Sequence, residues 1–267
     1  MNCSRLKPKV AVLGNISKDT IRSIDTSSYV GGAGANIALA MYQNNCDVTL
    51  FCNRSKTTKK FLQTYGDSIN VTATSSPSCE IEFNLEYEED GTLSSFESHY
   101  STPEYRVQNL IPDDFNHVHI CCCKPLRFSK AIEQVSKSGT NFSLNFYSSS
   151  IRQSASEVRE HLKQASFLFL NRSEFIALKE IVDPSMLARA IVTDGSNPVS
   201  MYIFGELIQQ VEIRQRKADN PTGAGDAFLG AFLSHVLQGA ELIHSLKSAS
   251  SYATSKLSSR GILGLPI

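Results

Sequence analysis

The sequence predicts an α/β protein in which a mostly parallel sheet is covered by helices on both faces. Short apolar runs alternate with stretches of helical length, and buried parallel strands are typically continuous apolar runs. These runs cover residues 10–14, 48–52, 118–122, 142–146, 167–170 and 190–193. Near the C-terminus a clear helix has apolar residues at i, i+4 and i+8, which we interpret as a core-facing stripe. The stripe consists of Phe228, Phe232 and Val236 beside Leu229, Leu233 and Leu237.

The composition is that of a globular chain long enough to bury a sizeable core. Of 267 residues, 41% are hydrophobic and 19% are charged, which suits one domain over residues 1–267. The formal net charge is zero, so charge gives no basis for nucleic acid or an anionic membrane as the main partner. No apolar run approaches a membrane span, and residues 1–9 lack a stretch of signal-peptide type. We therefore expect a cytoplasmic protein.

Seven cysteines, without a Cys-x-x-Cys pair, indicate a reducing compartment. Cys121, Cys122 and Cys123 are consecutive in an apolar run, where free cysteine packs as a small hydrophobic residue. A metal site from His117, His119 and these thiols is an alternative, because alternate residues of a strand share a face. Since zinc needs four ligands in suitable geometry, the core interpretation is favoured.

The first predicted strand leads into an acidic loop and then into a glycine-rich turn. Gly14 ends the first apolar run, and Asp19 follows shortly after it. Residues 31–36, which we call the first glycine loop, read Gly-Gly-Ala-Gly-Ala-Asn. They precede an apolar helical segment in which Ile37 and Met41 lie one turn apart. The predicted order is strand, acidic loop, glycine loop and helix.

One segment breaks the alternation of strands and helices. Apolar side chains at positions 81, 83, 85 and 87 alternate with polar ones, and residues 88–91 supply a turn before residues 93–100. This pattern predicts a β-hairpin with one dry face. An isolated hairpin buries too little apolar area to be stable, so the dry face closes on a ligand, pairs with another subunit or packs on the main domain.

A second glycine loop, residues 220–226, opens the C-terminal helix with the sequence Asn-Pro-Thr-Gly-Ala-Gly-Asp. Free N–H groups and the helix dipole favour an anion at such a position, and glycines let it approach the main chain. The loop is therefore typical of a phosphate site. Since an acid binds anions poorly, we assign Asp226 to accepting a proton from the group that attacks the phosphate. The alternative is that Asp226 only complements the helix dipole.

The two glycine loops and their order resemble the ribokinase-like carbohydrate kinases, also called the phosphofructokinase B family. Residues 167–174 are similar to a family strand ending in Asn-x-x-Glu, and residues 191–195 to a Val-Thr-x-Gly segment beside the nucleotide. The resemblance implies a ribokinase-like three-layer α/β/α fold with a mostly parallel central sheet and a small β-sheet lid. The lid segments would be residues 16–30 and 79–101.

The resemblance also implies roles for individual residues. Asp226 would be the catalytic base that accepts a substrate hydroxyl proton as the oxygen attacks the γ-phosphate of ATP, the co-substrate. Mg²⁺ would bridge the phosphates and be held through water by Asn171 and Glu174. The anion hole would consist of Gly223, Ala224 and Gly225. The nucleotide would be bound by Asn171, Thr193 and Gly195. The substrate would be bound by Asp19, Gly32 and Asn36.

The chain departs from the family pattern at several positions. Ala33 replaces a lysine common in ribokinases and Cys123 replaces an acid that contacts ribose, so ribose is not favoured. Asn220, preceded by Asp219, stands where the family often has an Asp linked to monovalent-cation activation, and potassium dependence is left open. Pro198 occupies about the place of a second glycine, which indicates an unusual nucleotide pocket.

These observations favour an ATP-dependent sugar kinase, with a nucleoside kinase of the same fold as the nearest variant. The alternative is a non-catalytic descendant that binds nucleotide or sugar as a sensor. The intact Asp226 argues against it, because losing the base is the easiest route to inactivity. The expected partners are ATP and a small sugar or nucleoside, without nucleic acid or membrane, and a homodimer through the lid is one way to cover the hairpin.

Overall fold

A computed structural model describes residues 6–22, 26–74, 78–88, 93–213, 221–257 and 263–267. The strands are β1 (Lys9–Leu13), β2 (Ser17–Arg22), β3 (Thr26–Gly31), β4 (Asp47–Cys52), β5 (Asn70–Ala73), β6 (Ile81–Tyr87), β7 (Leu93–Tyr100), β8 (His117–Cys122), β9 (Phe142–Phe146), β10 (Phe167–Asn171), β11 (Arg189–Asp194), β12 (Asn197–Ile203) and β13 (Glu206–Val211). The α-helices are α1 (Ala33–Gln43), α2 (Lys56–Tyr65), α3 (Phe128–Ser138), α4 (Ile151–Glu157), α5 (Arg172–Leu178), α6 (Ala224–Leu237) and α7 (Leu242–Lys256).

The large sheet has nine strands in the order β13-β12-β11-β10-β9-β8-β1-β4-β5. Neighbours from β11 to β5 pair in parallel, whereas β12 and β13 extend one edge in antiparallel pairing. The predicted mostly parallel sheet is therefore confirmed. Strands β5, β12 and β13 lie outside the predicted runs, because these strands at the sheet margins are less buried and carry weaker apolar patterns.

Helices cover both faces of the large sheet, which confirms the three-layer arrangement. Helices α1, α2, α6 and α7 pack on one face in a cluster that includes Phe61 and Phe232. Helices α3, α4 and α5 pack on the other face in a cluster that includes Phe128 and Phe175. The predicted stripe on α6 contributes to the first cluster. Among the described residues, no helix combines the length and apolar character that crossing a membrane requires.

A separate small sheet has the strand order β3-β2-β6-β7. The β3–β2 and β6–β7 pairs are antiparallel, and the central β2–β6 pair is parallel. The predicted hairpin is present as β6–β7, although most of its turn, residues 89–92, lies outside the described residues. All four strands correspond to the predicted lid segments.

The dry face of the hairpin packs against the body of its own chain. Ile81, Phe83 and Leu85 are 1%, 5% and 8% exposed and belong to the same core cluster as α3, α4 and α5. The Phe83 ring centroid lies 6.1 Å from that of Tyr147, which follows β9. Of the three ways to cover this face, the structure shows packing on the main body. A second subunit is not needed to bury it.

Candidate active site

A cavity of about 430 Å³ lies between the small sheet and the carboxyl ends of β9 and β10. It brings together residues predicted from both glycine loops, although these loops are almost 200 positions apart in sequence. Its predicted lining residues are Asp19, Gly32, Asn36, Asn171, Gly223 and Asp226, and the others are Ala33, Phe83, Leu85, Tyr87, Phe96, Tyr147, Ser148, Ser149, Pro221 and Thr222.

The first glycine loop passes too close to its neighbours for side chains. Gly32 precedes α1 with a φ of 97°, and a Cβ there would lie 2.5 Å from the Asn15 carbonyl oxygen. A Cβ on Gly31 would collide with the Asp19 carboxylate. Glycine is therefore required here by both conformation and space. The close approach holds Asp19 against the loop.

Asp19 is a buried acid with few partners. Its side chain is 5% exposed, and the Ser17 hydroxyl donates a 2.5 Å hydrogen bond to Oδ1. Burial raises the pKa of Asp19 to about 6, against the lowering effect of hydrogen bonds from Ser17 and the Gly32 backbone, and the charge of Asp226 raises it further. At neutral pH Asp19 is therefore ionised and can accept hydrogen bonds from hydroxyl groups.

Asp226 lies in the first turn of α6 and faces the same cavity. Burial raises its pKa to about 6, and the hydrogen bond from Asn36 opposes this shift. Asn36 Nδ2 donates to Asp226 Oδ2 over 3.1 Å, so a residue predicted for substrate binding also contacts the predicted base. A carboxylate whose pKa lies close to neutral pH is suited to general base catalysis.

The second glycine loop begins α6 without a side-chain cap. Gly223 has a φ of 81°, and the Ala224 N–H donates to the Pro221 carbonyl over 3.0 Å. Of the three predicted anion-hole residues, Ala224 therefore has its N–H engaged within the loop. Gly225 has open space, since a Cβ there would meet nothing within 4 Å. First-turn N–H groups and the dipole of α6 leave this end suited to an anion. Asn220 and Asp219 lie outside the described residues.

Asn171 and Glu174 form a capping box at the start of α5. The Glu174 N–H donates to Asn171 Oδ1 over 2.9 Å, and the Asn171 N–H donates to Glu174 Oε2 over 2.8 Å. Ser148 donates to Glu174 Oε1 over 2.8 Å and accepts from Asn171 Nδ2 over 2.7 Å. Burial raises the pKa of Glu174. These contacts give both residues a structural role at the start of α5. They also hold the side-chain oxygens of Asn171 and Glu174 in place beside the cavity.

A second cavity of about 150 Å³ connects the predicted nucleotide and metal residues with the base. Asn171, Glu174, Thr193 and Asp226 all line it. Much of the remaining lining is apolar, and the carboxylates of Glu174 and Asp226 are its two charged groups among the described residues. Mg²⁺ prefers oxygen ligands and keeps several waters, so these carboxylates suit an ion held through water. Gly195 lies in the turn between β11 and β12 with a φ of 59° and is outside the lining of this cavity.

A third cavity, also of about 150 Å³, extends the site between aromatic side chains. Its walls include Phe83, Phe96, Tyr100 and Tyr147, together with Cys123. Cys123 is 2% exposed, and Asn15 Nδ2 donates to its sulfur over 3.3 Å. Cys123, which the sequence comparison with the family suggested as a replacement for an acid, is a buried neutral thiol whose pKa is raised by burial.

Several lining residues are not among those predicted from the sequence. Ser148 belongs to a run of three serines after β9, and Tyr147 precedes that run. Tyr87 appears in the sequence only as an apolar position of the hairpin. A cluster of polar residues at the carboxyl end of a parallel strand is the signal that could have indicated Ser148, because ligands bind at that edge.

The histidines considered for a metal site lie in the core. His117 Nε2 and His119 Nδ1 each lie 2.8 Å from Ser143 Oγ, and His119 Nε2 lies 3.1 Å from Asn145 Oδ1. Burial lowers the pKa of His117 to about 4 and that of His119 to about 3. Both rings are neutral and engaged with side chains of β9. Cys121, Cys122 and Cys123 are buried free thiols, as the core interpretation predicts.

The fold and the site together define a class: a three-layer α/β/α protein in which an uncapped helix terminus, suited to an anion, lies beside a carboxylate. The chain matches the pfkB family of carbohydrate kinases over residues 6–265 and belongs to that family.

Relatives and solved structures agree with this assignment. A nucleoside kinase of Methanocaldococcus jannaschii is 33% identical over 89 residues, which cover 31% of this chain and 30% of that protein. The adenosine kinase of Sinorhizobium meliloti superposes with a TM-score of 0.80 at 16% identity and covers 98% of this chain and 96% of that one. The ribokinase of Cryptococcus neoformans var. grubii serotype A, solved with ADP, has a TM-score of 0.77 at 15% identity and covers 97% of each chain. These solved structures show the ribokinase-like fold.

Proposed function

We propose that this protein is an ATP-dependent kinase that transfers the γ-phosphate to a hydroxyl of a sugar or sugar-like molecule, with Asp226 as the base. The observation that carries the proposal is the position of Asp226. It lies in the first turn of α6, at an anion-binding terminus, and faces the cavity that Asp19 and Asn36 also line. A proton acceptor and a phosphate site are thus adjacent to hydroxyl-binding groups.

In the proposed reaction the acceptor hydroxyl transfers its proton to Asp226 while its oxygen forms a bond to the γ-phosphorus. The bond between that phosphorus and the bridging oxygen breaks, and ADP leaves with the electron pair. N–H groups at the start of α6 stabilise negative charge on the transferred group. Because its pKa is about 6, Asp226 is ionised at pH 7 and ready to accept the proton.

Asp19 and Asn36 orient the acceptor. The ionised Asp19 accepts hydrogen bonds from hydroxyls, and Asn36 can both donate and accept. The described residues lining the large cavity include two acids, Asp19 and Asp226, and no Lys or Arg. An uncharged hydroxyl group is therefore favoured beside Asp19 and Asp226, because an anionic group of the acceptor there would meet like charge.

ATP and Mg²⁺ are part of this proposal. The similarity in fold to a ribokinase solved with ADP supports an adenine nucleotide as the co-substrate. Asn171 and Glu174 would hold Mg²⁺ through water, and the bound ion would neutralise charge on the phosphates. In the described protein these residues supply fixed oxygens beside Asp226.

A nucleoside is the second candidate acceptor, favoured by the aromatic cavity. Phe83, Phe96 and Tyr147 line both the large cavity and its extension. A planar base would stack on such rings, whereas a small sugar would cover less of their surface. The partial sequence match to a nucleoside kinase is consistent with this candidate.

A coupled assay of ADP formation, confirmed by mass spectrometry of the product, tests the proposal over sugars, polyols and nucleosides. We expect phosphorylation of at least one neutral hydroxyl compound, dependent on Mg²⁺ and abolished or strongly reduced in Asp226→Asn. Preference for nucleosides over the matching free sugars would select the second candidate. Transfer to no hydroxyl compound would contradict the kinase proposal and favour a nucleotide or sugar sensor.

A further inference from the structure

A hydrogen bond joins the small sheet to the second glycine loop. Tyr87 Oη and Thr222 Oγ1 lie 2.7 Å apart and come from positions 135 residues apart in sequence. Tyr87 ends β6, and Thr222 directly precedes Gly223, the N-cap of α6. Both residues line the large cavity. The bond therefore connects the wall formed by the small sheet with the loop that is suited to phosphate.

We propose that Tyr87 is a positioning residue that couples the small sheet to the second glycine loop through Thr222. The catalytic consequence of this coupling rests on the proposed function, whereas the coupling itself is a property of the protein without ligands. Through this bond, movement of the small sheet over an acceptor also moves the second glycine loop into its position beside a phosphate.

Strand alternation directs Tyr87 toward the cavity. Tyr87 continues the alternation of Phe83 and Leu85 on β6, and all three line the cavity. The β6–β7 irregularity beside Tyr87 places one extra residue, Ser94, on β7. On the other side of the bond, α6 begins without a side-chain cap at Gly223. A hydroxyl contact from the small sheet thus restrains the residue next to an uncapped helix terminus.

The small sheet also carries Asp19, which is predicted to bind the acceptor, so the coupling links acceptor binding to the position of the second glycine loop. Asp19 on β2 pairs in register with Phe83 on β6, four residues before Tyr87. A shift of β6 therefore moves Asp19 and Tyr87 together. If the bond is lost, the acceptor can be bound while the loop is misplaced, and water can reach the phosphate. The expected signature is a lower kcat with little change in KM and more ATP hydrolysis without acceptor.

Amide hydrogen exchange on the unliganded protein tests the coupling directly. Tyr87→Phe should accelerate exchange in residues 221–227, and Thr222→Val should accelerate it in residues 81–87, because coupling between two segments is reciprocal. Each change should be about two- to twelvefold, as expected for the loss of one neutral hydrogen bond. The double variant should show no more than the larger single effect. Both substitutions keep the side-chain shape, and melting temperatures verify the fold.

Tyr252→Phe is the matched control. Its hydroxyl donates a 2.7 Å hydrogen bond to Gln43 Oε1, and neither residue belongs to the cavity lining, so its loss should leave exchange in both segments and kcat unchanged. Effects confined to each variant's own segment, or a double variant equal to the product of the single effects, would overturn the inference. Kinetic measurements with the best acceptor should show kcat reduced about two- to twelvefold in Tyr87→Phe. If the wild type phosphorylates nothing, the proposed function fails, while the exchange result still decides the coupling.

Discussion

Asp226→Asn separates the catalytic value of the base from its effect on stability. The amide keeps the shape of the side chain and an oxygen that can accept the hydrogen bond from Asn36, but it cannot take up a proton. We expect turnover to fall by about two to four orders of magnitude, with ATP binding retained. Wild-type kcat/KM should also fall as the pH drops below about 6, because the base becomes protonated.

The same substitution should stabilise the fold at neutral pH. Burial raises the pKa of Asp226 from 3.8 to about 6, so ionising it in the folded state costs up to about 3 kcal/mol at pH 7. Solvent screening reduces this figure, because Asp226 is part-exposed. Because the pKa of Asp226 is higher in the folded state than the ordinary value of 3.8, the full free-energy cost of ionising it applies above about pH 6. This cost disappears below pH 3.8, where the side chain is protonated in both states. The gain of the variant should therefore shrink to about half between pH 7 and pH 5.

Urea denaturation of the wild type and the variant at pH 5, 6, 7 and 8, combined with the coupled assay, measures both effects. Asp67→Asn is the control, because Asp67 is exposed and lies outside the cavities. It should leave turnover at the wild-type level. Turnover near the wild-type level would show that Asp226 is not the base. A stability difference independent of pH would refute the argument from burial.

Three further predictions concern the other groups around the cavities. Asn171→Ala and Glu174→Ala should raise the Mg²⁺ concentration needed for half-maximal rate more than they alter acceptor affinity; an unchanged Mg²⁺ titration would remove both residues from the metal site. Phe83→Asp should weaken acceptor binding, because it places a charge on a face that is buried against the chain's own body and lines the cavity; an unaltered calorimetric affinity would contradict this. Asp19→Ala and Asn36→Ala should lower kcat/KM for the acceptor far more than they lower the affinity for ATP. The loss should be larger for Asp19→Ala, because hydrogen bonds to a charged group are worth about 1.5–3 kcal/mol. If calorimetry gave both variants the acceptor affinity of the wild type, Asp19 and Asn36 would be excluded as acceptor-binding residues.

The parts of the site that local sequence predicts are those that a short segment determines by itself. A glycine loop before a helix produces an anion site through free N–H groups and the helix dipole, wherever the helix lies in the fold. For this reason the second glycine loop and Asp226 are recognisable without a structure. The same holds for the hairpin, since alternation at Ile81, Phe83 and Leu85 depends only on the pleat.

Contacts between distant segments are not predictable in this way. The bond between Tyr87 and Thr222 depends on the docking of the small sheet against the second glycine loop, which has no local signature in the sequence. The packing of the dry face shows the same limit. Its alternation indicates that something covers it, but only the tertiary structure identifies the aromatic wall around Tyr147 as the partner.

Small residues in the helices explain how the two glycine loops come together. A Cβ on Gly230, in the middle of α6, would lie 2.8 Å from the Ile37 carbonyl oxygen of α1, so only glycine permits the two helices to pack this closely. Glycine weakens a helix interior by about 1 kcal/mol relative to alanine, which makes a packing role the reason for its presence. The close crossing of α1 and α6 is what places Asn36 Nδ2 3.1 Å from the Asp226 carboxylate. The geometry of the proposed base thus depends on a glycine one turn deeper in the helix, where the sequence shows only an apolar stripe.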